Sequence, residues 1–229
     1  MKLILLNLFF FVSMVCGLSQ ENSVISIKIK SELYNKIILA NDSTKITNGS
    51  NKIVLSDLKF YLSNFKLYNN KTLVWEEGNS FYLYDINKES SNEIKLFVPD
   101  KLNYNKIVFN LGIDSITNVS GAYGGDLDPT KGMYWTWQSG YINFKCEGKK
   151  ENESGAVSKF MFHLGGYSLQ NNALQKLEFN LPNQKQTELI FSLDKFIESE
   201  LLATTNKIML PSPMSVQLSK LAASCFKLK

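Results

Sequence analysis

Tyr141-Ile142-Asn143-Phe144-Lys145-Cys146 and, further along, Phe160-Met161-Phe162-His163-Leu164 alternate residue by residue between two sets of side chains. Ile142, Phe144 and Cys146 oppose Tyr141, Asn143 and Lys145, and Phe160, Phe162 and Leu164 oppose Met161 and His163. A period of two sends alternate side chains to opposite faces of a strand, so both segments predict half-buried β-strands. The same period recurs outward along the chain. Ile25, Ile27 and Ile29 alternate with Ser26, Lys28 and Lys30, and Leu58, Phe60 and Leu62 alternate with Lys59, Tyr61 and Ser63 inside an apolar stretch over 54–68. Further strands are predicted at 81–86, 94–98, 106–113, 177–181 and 188–193. Many short strands separated by Asn, Gly and Ser turns specify an all-β chain folded as an antiparallel β-sandwich with long loops, rather than a series of βαβ units. Helix is predicted only late. Ser212 as N-cap and Pro213 in the first turn precede Met214, Leu218, Leu221, Ala222 and Cys225 on one helical face, and this C-terminal helix is expected to lie against the sandwich.

The 229 residues are 44% hydrophobic and 12% aromatic, enough apolar side chain for a packed core. A formal charge of only +4, from 25 Lys plus Arg against 21 Asp plus Glu, is dispersed along the sequence and argues against nucleic-acid binding. One His and three Cys exclude a zinc finger, a His-rich metal cluster and a Ser-His-Asp triad with a His to spare. The chain has no phosphate-cradling glycine loop, no GxSxG elbow and no carboxylate pair in contrasting settings, so no enzyme is expected.

Residues 1–19 read as a secretory signal peptide: Lys2, an apolar run through Leu3-Ile4-Leu5-Leu6 and Phe9-Phe10-Phe11-Val12, then small residues. Cleavage after Gly17 and after Ser19 are both permitted. The run falls short of the roughly 20 residues a bilayer requires and no second run follows, so no transmembrane span is expected. A lipid anchor at Cys16 is disfavoured, because Val15 stands where such a signal has Gly, Ala or Ser. Residues 20–229 are expected to form a single secreted or periplasmic domain. Export leaves Cys146 and Cys225, which either form one disulfide or stay as two separately buried thiols.

The longest aperiodic segment lies between Ile113 and Tyr141 and carries Gly121, Gly124, Gly125, Asp126, Asp128, Pro129, Gly132, Trp135 and Trp137. A loop of this length is usually functional or disordered, and this one is too aromatic for disorder; it is expected to pack on the fold and shape a site. Trp135 and Trp137 stand at i and i+2, so in an extended segment both indoles share a face, as core, stacking platform or modified site. His163 shares a strand face with Met161, and imidazole with thioether suits Cu(I). The other reading of His163 is a ring hydrogen-bonded to a backbone carbonyl beneath a loop. Asp126 and Asp128 suit either calcium or turns in which they bond their own backbone.

The run Gly124-Gly125-Asp126-Leu127-Asp128-Pro129-Thr130-Lys131-Gly132-Met133-Tyr134-Trp135-Thr136-Trp137-Gln138-Ser139-Gly140-Tyr141-Ile142-Asn143-Phe144-Lys145, followed by Phe162-His163-Leu164-Gly165-Gly166, resembles the signature of the MbnP-like family. Phe60-Tyr61-Leu62-Ser63-Asn64, Tyr82-Leu83-Tyr84-Asp85 and Ile208-Met209-Leu210-Pro211 extend the resemblance over almost the whole mature chain. These are secreted copper-binding proteins related to those that accompany methanobactin genes and to the methanotroph surface proteins MopE and CorA. The resemblance implies an extracytoplasmic or cell-surface β-sandwich that binds copper, in some members through His side chains and a kynurenine made from Trp by a separate diheme oxidase. By position it implies His163 as the imidazole ligand and Trp137 or Trp135 as the modified residue; the kynurenine nitrogen, Met161 or an Asp stands as a substitute donor where a ligand is missing. Copper-binding members carry a second His in the loop ahead of the Trp motif. That loop here reads Asn118-Val119-Ser120, so no two-His site can form. An expectation from a different class keeps the fold without copper, as a surface interaction or carbohydrate-binding module with the Trp pair as its contact patch and calcium bracing the loop.

Overall fold

The computed structural model describes residues 22–39, 45–48, 51–137, 140–152, 154–181 and 184–229. The signal segment and Cys16 lie outside the described residues. The alternating isoleucines form β1 (Asn22–Leu33), with Ile25, Ile27 and Ile29 buried. It is followed by β2 (Lys36–Ile37), β3 (Lys45–Asn48), β4 (Asn51–Asn69), β5 (Thr72–Glu76), β6 (Phe81–Asp85), β7 (Glu93–Pro99) and β8 (Lys106–Leu111). A short α1 (Ser115–Val119) and β9 (Tyr134–Trp135) lead to β10 (Gly140–Glu151) and β11 (Val157–Gly165). Then come β12 (Gln175–Asn180), β13 (Gln186–Ser192), α2 (Leu193–Ile197), β14 (Lys207–Ile208), α3 (Pro213–Ser224) and β15 (Phe226–Leu228).

The strands form two sheets. In the smaller, β1 is flanked by β13 on one edge and by β7 and then β2 on the other, and β15 pairs with β13. In the larger, ordered β12-β8-β4-β10-β11-β14, the 19-residue β4 is the spine. Strands β10 and β8 pair end to end along one of its edges, and β3, β6 and β5 along the other. Pairing is antiparallel except for β1 with β13 and β11 with β14, so the sandwich is built from mixed sheets. Parallel neighbours need a long crossover, and most of the larger sheet lies between β1 and β13 in the chain.

The inner faces meet around Phe60 of β4, whose ring stacks on Tyr84 at 4.5 Å and meets Phe226 at 5.2 Å and Phe191 at 5.9 Å from the smaller sheet. The late helix forms as the sequence predicts. Ser212 caps α3 by accepting from the Ser215 amide, and Leu218 and Ala222 are buried. Ser215 then fastens the helix to the end of β11, its hydroxyl accepting from Gly165 N at 3.1 Å and donating to Gly165 O at 2.9 Å.

Of the two readings of the cysteines, the structure shows separate buried thiols. Cys146 points into the core from β10, and Cys225 at the end of α3 donates to the Leu221 carbonyl at 3.2 Å. Burial pushes the Cys225 thiol up to about 11 and that of Cys146 higher still, which leaves almost no thiolate at neutral pH. A thiol reagent added to the signal-free protein should therefore find no reactive cysteine in the native state and two after denaturation. A missing pair of thiols after denaturation without reductant would reveal a disulfide instead.

Candidate functional site

The segment between Ile113 and Tyr141 folds across the outer face of the larger sheet. Tyr61, which points away from the Phe60 core, joins Leu83, Ile113, Leu127, Met133, Trp135, Tyr141 and Ile142 in a second buried cluster. Local hydrogen bonds explain the path. Asp114 caps α1 by accepting from Thr117 N, and Asn118 Nδ2 donates to the carbonyls of Ile113 and Asp114 while its Oδ1 accepts from Tyr141 N at 2.8 Å. Tyr141 OH donates to Leu127 O and accepts from Tyr123 N. Asp126 Oδ2 accepts from Leu83 N at 3.0 Å, its Oδ1 pairs with Lys131 Nζ at 2.5 Å, and Tyr61 OH donates to its carbonyl. Asp128 accepts from Thr130 N and Thr130 Oγ1, capping the turn that Gly132 closes at φ +73°. Asp126 and Asp128 are thus engaged as loop and turn brackets, with different partners. Among the described residues no three His, Cys, Asp or Glu side chains converge as a metal cage.

The Trp pair departs from the shared-face expectation, because the chain leaves extended geometry after β9 and turns at Thr136 and Trp137. Trp135 is only 5% exposed whereas Trp137 is 62% exposed, although their rings still meet at 6.1 Å. Trp135 packs so closely on β11 that a Cβ at Gly165 would lie 2.8 Å from its ring, and 2.6 Å from the Tyr141 carbonyl oxygen, so glycine is needed there. Its Nε1 is buried and has no hydrogen-bond partner among the described residues. Gly165, His163 and Met161 follow one another along the outer face of β11, each step of two residues covering roughly 7 Å. His163 therefore lies between the Trp135-covered glycine and the half-buried Met161.

A row of paired charges runs across this face beside the second cluster. Asp85 meets Lys59 at 3.2 Å, Asp57 meets Lys145 at 2.9 Å, and Lys145 meets Glu147 at 3.6 Å. The row ends at His163, whose Nε2 lies 2.6 Å from Glu147 Oε1. The partner of His163 is thus a cross-strand carboxylate, not the backbone carbonyl of the simpler sequence reading. Burial pulls the His163 ring below its ordinary pKa, with Lys145 acting in the same direction and Glu147 opposing. Burial would by itself raise the Glu147 carboxyl, but the His163 hydrogen bond and Lys145 outweigh it and hold that group low. Sequence reading found His163, Met161 and the Trp pair but missed Glu147, Lys145, Lys59 and Asp57. Their outward positions follow from strand alternation, yet their meeting depends on a register between β4, β10 and β11 that no local pattern encodes.

Both depressed groups bind a proton less readily folded than unfolded, so the fold loses stability on acidification. The His163 contribution is complete above its ordinary value of 6.5 and is lost as pH falls toward the depressed one. Glu147 acts in the same sense below its ordinary 4.5. Urea unfolding of the metal-free protein should give a lower midpoint at pH 5 than at pH 7.5, and His163→Gln should flatten that drop. A midpoint that rises on acidification would contradict the charge assignment.

The MbnP family model matches residues 22–214. No curated protein matches the chain. Among solved structures, that of MbnP from Methylosinus trichosporium is similar, with a TM-score of 0.55 and 15% identity over 78% of each chain, a likeness that shows a shared fold.

Proposed function

The chain belongs to the MbnP family, and from that premise we propose that it is an exported, non-enzymatic copper-binding protein with its site on the outer face of β11. The observation that carries this reading is the position of His163, the chain's single imidazole, 8% exposed and between Met161 and the Trp135-covered Gly165. Thioether is a soft donor and imidazole a borderline one, a pair that suits Cu(I) better than hard divalent ions. Thus His163 and Met161 would hold the metal and Trp135 would wall the site. Copper bound here would be carried rather than used in catalysis. A kynurenine at Trp135 or Trp137, made by a separate diheme oxidase, would supply a further nitrogen in place of the second His that the chain lacks; Trp137 is the indole more open to an external oxidant.

The exposure of Trp137 also favours a second reading, a contact module for protein or carbohydrate on the same fold without copper.

Anaerobic Cu(I) titration of the signal-free protein against a competing chelator tests the proposal. His163→Ala should lower affinity by more than about 100-fold, beyond the upper end of what losing an outer-shell partner costs. Intact mass of protein from its native host should show oxidised Trp. Unchanged affinity in His163→Ala would overturn the site. No Cu(I) uptake by the wild type, together with glycan binding that Trp137→Ala abolishes, would favour the contact module.

A further inference from the structure

Resting on the copper reading, we infer that Glu147 is a positioning residue that accepts the Nε2 proton of His163, fixes the imidazole in one tautomer and leaves Nδ1 as the nitrogen offered to metal. The register makes the contact possible. Across the β10–β11 pair Lys145 stands opposite His163 and Glu147 opposite Met161, so Glu147 reaches His163 on the diagonal, at 2.6 Å. The carboxylate is itself held by Lys145 at 3.6 Å, and Lys145 by Asp57 at 2.9 Å.

Near pH 8 a glutamate side chain is ordinarily a carboxylate, which can only accept. At that pH an imidazole is ordinarily neutral and carries a single N–H. The hydrogen-bond network therefore places that proton on Nε2 and the bare lone pair on Nδ1. No hydrogen bond joins Nδ1 to a described residue. A carboxylate behind a ligating imidazole fixes ring orientation and raises the basicity of the nitrogen facing the metal. In a site with one imidazole, that orientation has no second His to compensate for its loss.

The single His makes the test direct, because a tag-free sample contributes one imidazole to a long-range proton–nitrogen correlation spectrum. Near pH 8 the metal-free wild type should show the Nε2–H pattern. Glu147→Gln, of equal size but uncharged, should mix the tautomers and weaken Cu(I) binding by about 10- to 100-fold. Glu147→Asp should restore part of both, and near-UV circular dichroism reports whether each variant keeps the sheet. An Nδ1–H ring in the wild type would overturn the inference even if a variant fails to fold. So would a folded Glu147→Gln with either its tautomer or its Cu(I) affinity unchanged. Retained Cu(I) affinity in His163→Ala would instead sink the copper reading itself, whereas loss in His163→Ala with no effect in Glu147→Gln would sink only the role of Glu147.

Discussion

The hydrogen bond from Tyr141 N to the side chain of Asn118 fixes where the long segment ahead of β10 begins and ends on the sheet. Between Asn118 and Trp137 the chain crosses the outer face, where Tyr61 and Tyr141 tie it down through the carbonyls of Asp126 and Leu127. That course buries Trp135 on Gly165 and so sets the wall beside His163. The loop that resemblance associates with a second His in copper-binding members here contains this bracket. Asn118 is 2% exposed, and its amide bonds three backbone groups, the carbonyls of Ile113 and Asp114 and the N–H of Tyr141.

The outer face therefore changes character over a single strand step. On one side lies the buried second cluster of Tyr61, Leu83, Met133 and Trp135; on the other lie Asp85, Lys59, Asp57, Lys145 and Glu147. Half-buried charges are tolerable because they are paired in sequence across neighbouring strands, so the cost of desolvating each is offset by the next. His163 stands at the boundary. Burial pulls its ring below the ordinary pKa, and the charged side brings Glu147 to its Nε2. The inner face has a different task, joining both sheets through Phe60, Phe191 and Phe226 and supporting the strand that carries His163.

Alternation made the fold readable where strands are half-buried. Ile25, Ile27 and Ile29, and Phe160, Phe162 and Leu164, all point into the core as their period implies. The Ser212-Pro213 start of α3 was equally legible, because capping is a local matter. Short edge strands such as β2, β5 and β14 carry too few residues for a period to show, and β15 follows a helix directly. The parallel pairing of β1 with β13 depends on neighbours far apart in the chain and has no local mark. In the site, His163 and Met161 were visible as one strand face. The Trp rings lie 6.1 Å apart, but a turn at Thr136 and Trp137 leaves the second indole exposed, and Glu147 has no local mark because only the register brings it to His163.

The central claim is that His163 holds copper on this face. The most direct measurement is X-ray absorption at the copper edge of the Cu(I)-loaded, tag-free protein, because its one imidazole makes the ligand unambiguous. The spectrum should show the multiple-scattering signature of one imidazole together with a sulfur neighbour, and the imidazole signature should vanish in His163→Ala. A copper environment without imidazole scattering in the wild type would contradict the claim.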